Sequence, residues 1–105
     1  MIRKKEILFI LLQIIPPGYV TTYSSLAKVL KTSPRAVARM LKYNKNPIVV
    51  PCHRVVSASR DLGGYTLSGR PSREFKHRLL ELEGVEISGD RISRESIIYL
   101  DYLLD

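Results

Sequence analysis

Apolar residues crowd the start of the chain, where Ile7, Leu8, Phe9, Ile10, Leu11, Leu12, Ile14 and Ile15 leave only Gln13 as a polar interruption. The pattern predicts a helix over Ile2 to Ile15 with apolar residues around most of its surface, an element packed on more than one side. Pro16-Pro17-Gly18 ends it. The run is too short to span a membrane. Glu6 interrupts the basic lead and no small-residue cleavage site follows, which argues against a signal peptide.

Further along, the apolar positions fall into shorter groups at helical spacing. Thr21 or Thr22 caps a second helix through about Leu30, with Leu26, Val29 and Leu30 on one face. Thr32 or Ser33 caps a third, with Pro34 at its favoured first position and Val37, Met40 and Leu41 as its buried stripe. Two short helices joined by a brief turn, over about residues 22–43, form a helix-turn-helix pattern. Asn44 to Pro51 reads as a loop in which Ile48-Val49-Val50 is at most a short extended piece. Val55-Val56 and Leu62 to Tyr65, the latter bearing Gly63-Gly64, predict a small hairpin, a wing over about 55–70. A helix from Pro71-Ser72 through Glu83 carries Phe75, Leu79, Leu80 and Leu82 and stops at Gly84. A last helix is predicted from Ser93 to Leu104. The fold class is therefore mainly α: one winged helix-turn-helix domain with a small β-hairpin wing, filling residues 1–105 without repeats or linkers.

Composition adds a partner class to this outline. The 105 residues are 45% hydrophobic and 26% charged, a globular balance, and 17 Lys and Arg against 10 Asp and Glu give a net charge of +7. Such a field attracts polyanions, nucleic acid first among them, although a charged surface also serves solubility alone. The one cysteine cannot form an internal disulfide, which fits a cytoplasmic protein.

That cysteine, Cys52, is followed by His53 and Arg54. A thiol attacks only as thiolate, so a catalytic cysteine needs a base or a positive field beside it. In an extended segment adjacent side chains point to opposite sides, so His53 would reach Cys52 through a water. A carboxylate would have to orient the imidazole, and Glu83 is a candidate. The plain alternatives are a buried structural thiol and a packed histidine. Zinc is disfavoured, because one Cys and two His, the second being His77 on a helix, have poor ligand spacing. No metal or other cofactor is expected.

The segment Pro51-Cys52-His53-Arg54-Val55-Val56 closely resembles the active-site motif of the O6-alkylguanine-DNA alkyltransferases. Ile15-Pro16-Pro17-Gly18-Tyr19-Val20-Thr21-Thr22-Tyr23, Leu26-Ala27, Arg35-Ala36-Val37, Asn44, Gly63-Gly64-Tyr65 and Leu79 to Gly84 follow in that family's order, over roughly residues 7–87. The resemblance implies that Cys52 accepts the alkyl group and ends as a thioether, with His53 its base through water and Glu83 orienting the histidine. Asn44 would brace the active-site turn. Arg35 would enter the duplex stack from the minor groove in place of an extruded base, and Tyr23 would crowd the target's phosphate. Tyr65, Thr66, Val55 and Gly64 would surround the flipped guanine, with the carbonyls of Cys52 and Val55 accepting from its exocyclic amine. Ser33 and Ala36, with Arg39 and Lys42, would lie along the DNA surface.

The implied partner is double-stranded DNA containing O6-alkylguanine, bound by a monomer, with no membrane. Several features depart from the family's pattern. Its N-terminal domain is expected to be absent, since only six residues precede the first matching helix. Ala38 stands where Gly is common, the stretch between Tyr23 and Arg35 looks about two residues shorter, and Thr66 to Pro71 looks longer. Minimal size also resembles the alkyltransferase-like proteins, which bind damage without repairing it and lack the acceptor cysteine. A winged-helix transcription factor would explain charge and helices but give Pro51-Cys52-His53-Arg54 no purpose.

Overall fold

The structure is a computed structural model describing residues 3–46, 48–67 and 70–104. The expected helix start at Ile2 and the pocket-loop residues Ser68 and Gly69 lie outside the described residues. Helix α1 (Lys4–Leu12) is shorter than its apolar run predicts. Residues 13–15 continue in tighter i to i−3 bonds, because Pro16 disfavours helical geometry in the residue before it. Burial is also one-sided: Leu8, Leu11, Leu12 and Ile15 are buried, whereas Ile10 and Ile14 are more than half exposed.

The predicted helix pair is present as α2 (Tyr23–Leu30) and α3 (Pro34–Leu41). Thr22 Oγ1 accepts from the Ser25 amide at 3.0 Å, and Ser33 Oγ from the Ala36 amide at 3.1 Å, so each helix starts on a hydroxyl cap. The turn between them bends at Lys31, whose φ of 55° is left-handed, while Thr32 N–H reaches back to Ala27 O at 2.9 Å. Val37 is fully buried; Met40 and Leu41 are only partly so.

The wing predicted from Val55-Val56 and Leu62 to Tyr65 does not form as a hairpin. Strand β1 (Thr21–Thr22) instead pairs in parallel with β2 (Val55–Val56). Both β2 residues are fully buried, and pairing to the segment that enters α2 satisfies their backbone between two apolar clusters. The antiparallel partners are β3 (Thr66–Leu67) with β4 (Arg70–Pro71), and β5 (Ile87–Ser88) with β6 (Arg91–Ile92).

Helix α4 (Arg73–Leu82) ends on Glu83 and Gly84 as predicted. Its inward face is Lys76 and Leu80, both fully buried, while Leu82 is 85% exposed. The predicted final helix over Ser93 to Leu104 is replaced. A 3-10 turn at Arg94–Ser96 leads to Ile97, which bridges Val20 in parallel, before one helical turn, α5 (Leu100–Leu103). The β-branched pair Ile97-Ile98 is spent on this extended contact, with Ile98 N–H donating to Val20 O at 2.7 Å.

One core cluster gathers α1, α2, Val37, Cys52, Val55, Tyr65 and Leu100; the other holds Val20, Val56, Leu62, Leu80, Val85 and Ile92. The β1–β2 pair lies at their junction. Cys52 is thereby set at the edge of the first core.

Candidate functional site

Pro51 suits the start of a tight turn because it has no amide to satisfy, and Cys52–Arg54 form one turn of 3-10 helix. This corrects the expectation of an extended segment. With about 120° between successive side chains, Cys52 faces a cavity while His53 and Arg54 turn toward the end of α4. Asn44 fixes the approach to the turn: its Nδ2 donates to Val50 O at 2.8 Å, and its Oδ1 accepts from the Asn46 amide at 3.0 Å. The Cys52 amide donates to the same Val50 carbonyl at 2.8 Å.

Glu83 is the hub of the buried polar groups. Arg54 donates to it through Nε at 2.9 Å and a terminal nitrogen at 2.6 Å, and His53 Nε2 lies 3.0 Å from its Oε2. The remaining terminal nitrogen of Arg54 donates to Ile15 O at 2.8 Å, tying the end of the first helical segment to the site. Burial alone would raise the Glu83 carboxyl, but the bonds from Arg54 and His53 outweigh it and hold the pKa below its ordinary value. An ionised carboxylate only accepts, so His53 Nε2 carries the hydrogen.

His53 is fully buried, and burial holds its pKa below the ordinary value against the opposing pull of Glu83; the charges of Arg54 and Lys76 also push it down. A neutral ring with Nε2 protonated has its acceptor lone pair on Nδ1. That atom is buried and bonds to no protein group among the described residues. The residue next to the thiol is thus a neutral imidazole with a free basic nitrogen.

The cavity, of about 360 Å³, is lined by Tyr23, Ala38, Leu41, Lys42, Cys52, Gly64 and Tyr65. Tyr65 Oη lies 4.0 Å from Cys52 Sγ, and burial, with Cys52 adding to it, pushes the Tyr65 phenol well above its ordinary pKa. Burial likewise raises Tyr23. Both phenols therefore keep their hydrogens at neutral pH and are available as donors. Tyr23 opens α2 and Leu41 and Lys42 close α3, so the two helices form one wall of the cavity.

Sequence reasoning brought Cys52, His53, Glu83, Asn44, Tyr23, Tyr65 and Gly64 together in one neighbourhood, and the fold does the same; Val55, expected beside the base, is instead fully buried outside the cavity lining, with its carbonyl accepting from Lys76. Thr66 enters β3, beside the pocket. Arg35, Ser33 and Ala36 lie apart, on the first turn of α3, where Arg35 is exposed. The Ala36 amide is already engaged by Ser33, so it is not a free phosphate donor. Arg35, Arg39 and Lys42 are exposed and form no ion pair among the described residues.

Lys76 was missed. Its side chain is fully buried, and Nζ donates to Val55 O at 2.7 Å and Gly64 O at 3.2 Å, joining β2 to the cavity loop. Burial lowers its pKa to about 7, so near neutrality the amine stands between its charged and neutral forms, and either form can donate to the two carbonyls. The signal was present: Lys76, Leu80 and Glu83 fall at i, i+4 and i+7, one helical face.

A basic two-helix element stands beside a buried thiol that has a carboxylate-bound imidazole as its neighbour, the outline of a nucleic-acid-binding domain built around a cysteine. Residues 4–85 match the family described as 6-O-methylguanine DNA methyltransferase, DNA binding domain, and the chain belongs to that family. It is 51% identical over 83 residues to the methylated-DNA–protein-cysteine methyltransferase of Thermococcus barophilus, covering 79% of this chain and 45% of that protein. The chain thus spans less than half the length of that relative.

Among solved structures it resembles O6-methylguanine-DNA methyltransferase from Pyrococcus kodakaraensis, with TM-score 0.69, 44% identity and coverage of 81% of this chain and 48% of that one. It also resembles S. pombe Atl1 in complex with damaged DNA containing O6-carboxymethylguanine, with TM-score 0.70, 26% identity and coverage of 84% and 83%.

Proposed function

We propose that this domain extrudes O6-alkylguanine from duplex DNA and transfers the alkyl group to its own Cys52. The observation that carries the reading is the buried neutral His53, held through Nε2 by Glu83 and free at Nδ1, beside a thiol that lines a cavity. The thiol proton passes to Nδ1 through a water, and the thiolate attacks the alkyl carbon in line with the C–O6 bond. That bond breaks with its electron pair going to the guanine, which regains a proton. Cys52 keeps the alkyl group as a thioether, with no group in the reaction to remove it. Each molecule reacts once, and the chemistry calls for no cofactor.

The flipped base would enter between Tyr23 and Tyr65, because O6 cannot meet a protein nucleophile while stacked. Tyr65 and the Thr66 amide would donate near O6. The exposed first turn of α3 would face the duplex, with Arg35 filling the gap left by the base and Ser33, Arg39 and Lys42 following the backbone. Residues 1–105 would act as one domain and one monomer, with β3–β4 in the role of a wing.

Incubation with a duplex containing O6-methylguanine is expected to add one methyl to the Cys52 peptide, read by mass spectrometry. Cys52→Ala should abolish transfer and keep tight binding to the damaged duplex. Arg35→Ala should slow transfer from duplex much more than from the free base, whereas Arg39→Ala should lower the slope of log affinity against log salt by about 1. Damage binding without repair is the competing reading, favoured by the likeness to Atl1 over most of both chains. Tight binding by an unmodified wild-type Cys52 would establish it.

A further inference from the structure

Gly63 and Gly64 form the cavity loop, and neither has a side chain with which to pack. Gly63 sits at φ +74°, flanked by Lys76 and Tyr23. Leu62 and Tyr65 anchor the two sides of the loop in the cores, and between them the glycines are placed by hydrogen bonds. Three consecutive carbonyls, those of Gly63, Gly64 and Tyr65, accept respectively from Arg73 Nε at 3.1 Å, Lys76 Nζ at 3.2 Å and the Ser72 amide at 2.7 Å. All three donors lie on α4 or the residue before it. Lys76 holds the loop from inside the core and Ser72 through the backbone.

Arg73 alone acts from solvent. Its two terminal nitrogens donate to Asp61 Oδ1 at 2.7 Å and Asp90 Oδ2 at 3.1 Å, and the same Asp61 oxygen accepts from the Gly63 amide at 3.3 Å. The guanidinium thus joins the loop, its leading residue and the β5–β6 turn in one fork that a lysine's point charge cannot reproduce. The Gly63 amide, followed by Arg73, holds the Asp61 carboxyl below its ordinary pKa, so the fork is charged at neutral pH.

We propose that Arg73 is a positioning residue that latches the cavity loop from outside, fixing Gly64 and Tyr65 at the width an alkylated guanine base requires. This rests on the alkyl-transfer reading. Free O6-benzylguanine is uncharged, so its reaction with Cys52 reports the cavity without the confounding pull of DNA phosphates. If loss of the latch leaves the loop correctly placed about a tenth of the time, apparent affinity falls about tenfold.

The test compares the wild-type protein with Arg73→Ala, Arg73→Lys and, as a control for one lost surface charge, Arg78→Ala. Arg73→Ala and Arg73→Lys are each expected to raise the benzylguanine concentration at half-maximal rate about tenfold, with the limiting rate and the iodoacetamide reactivity of Cys52 unchanged. Arg78→Ala should match the wild type. Raising salt should weaken the wild-type reaction, because exposed pairs are screened, and leave Arg73→Ala unaffected.

Equal behaviour of wild type and Arg73→Ala would overturn the proposal. So would a parallel fall in affinity, limiting rate and iodoacetamide reactivity, which marks general loosening. If the wild type transfers nothing, the alkyl-transfer reading falls, and the latch is judged by hydrogen exchange at the Gly63 and Ser72 amides, which donate to Asp61 Oδ1 and Tyr65 O. Exchange at least about tenfold faster in Arg73→Ala would uphold it, and unchanged exchange would overturn it.

Discussion

The two ends of α4 carry the same chemistry in different surroundings. At its C-terminal end Arg54 forks onto Glu83 at 2.9 and 2.6 Å, with side chains only 11% and 16% exposed and a fully buried imidazole against them. At its N-terminal end Arg73 reaches Asp61 and Asp90 at 2.7 and 3.1 Å, with all three side chains between 45% and 58% exposed. The distances barely differ. Water separates the two cases: an exposed pair is screened and adds little to stability, whereas removing one member of a buried set strands the others without solvation. The buried end therefore governs both folding and the state of the imidazole, and the exposed end can adjust a loop without endangering the fold.

The largest effect that would sharpen this contrast is at the buried end. Glu83→Ala should lose roughly 3 kcal/mol in urea unfolding, because Arg54 and His53 are left buried without their acceptor. A loss below about 1 kcal/mol would mean that water reaches the site and would erase the contrast.

The next effect lies between the two ends, at Lys76, whose folded pKa of about 7 is far below its ordinary value near 10.4. Between these values the unfolded chain holds a proton that the folded one has released. Stability should therefore rise with pH from about 7 toward 10, by up to about 1.4 kcal/mol per unit, and level off below 7. Lys76→Met should flatten that rise, and an unchanged slope would refute a buried, neutralised amine. The lowered pKa of His53 has the same sign in a different window: stability is present above the ordinary imidazole range and lost as pH falls below about 6.5, where only the unfolded chain protonates. His53→Asn should reduce that acid-side loss. The smallest effect belongs to the exposed end, where Asp90→Asn should leave unfolding within about 0.5 kcal/mol of the wild type. A larger loss would show that the exposed fork also carries the fold.

Much of this site was legible in the sequence where a local rule or a contiguous motif applied. Thr22, Ser33 and Pro34 announced the starts of α2 and α3 through capping, and Gly84 the end of α4. Cys52, His53 and Glu83 were recognisable from residue order. What escaped was set by tertiary pairing. Val55-Val56 reads as a hairpin arm, yet its partner is Thr21-Thr22, and Ile97-Ile98 reads as helix, yet it lies along Val20. Lys76 escaped because a lysine on a charged helix reads as solvated, and only the helical register with Leu80 and Glu83 marks it as inward.

The parallel pairing of β1 with β2 also sets a folding order. Thr21 must meet Val55, Ile15 must meet Arg54 and His53 must meet Glu83, contacts separated by 34, 39 and 30 residues along the chain. Closures of that span lose chain entropy before any bond forms in return, while α1, α2 and α3 assemble from near neighbours. On the proposed reading, His53 meets Glu83 only once these distant segments have closed, so the imidazole beside Cys52 gains its orientation from the finished fold and not from its neighbours in the chain.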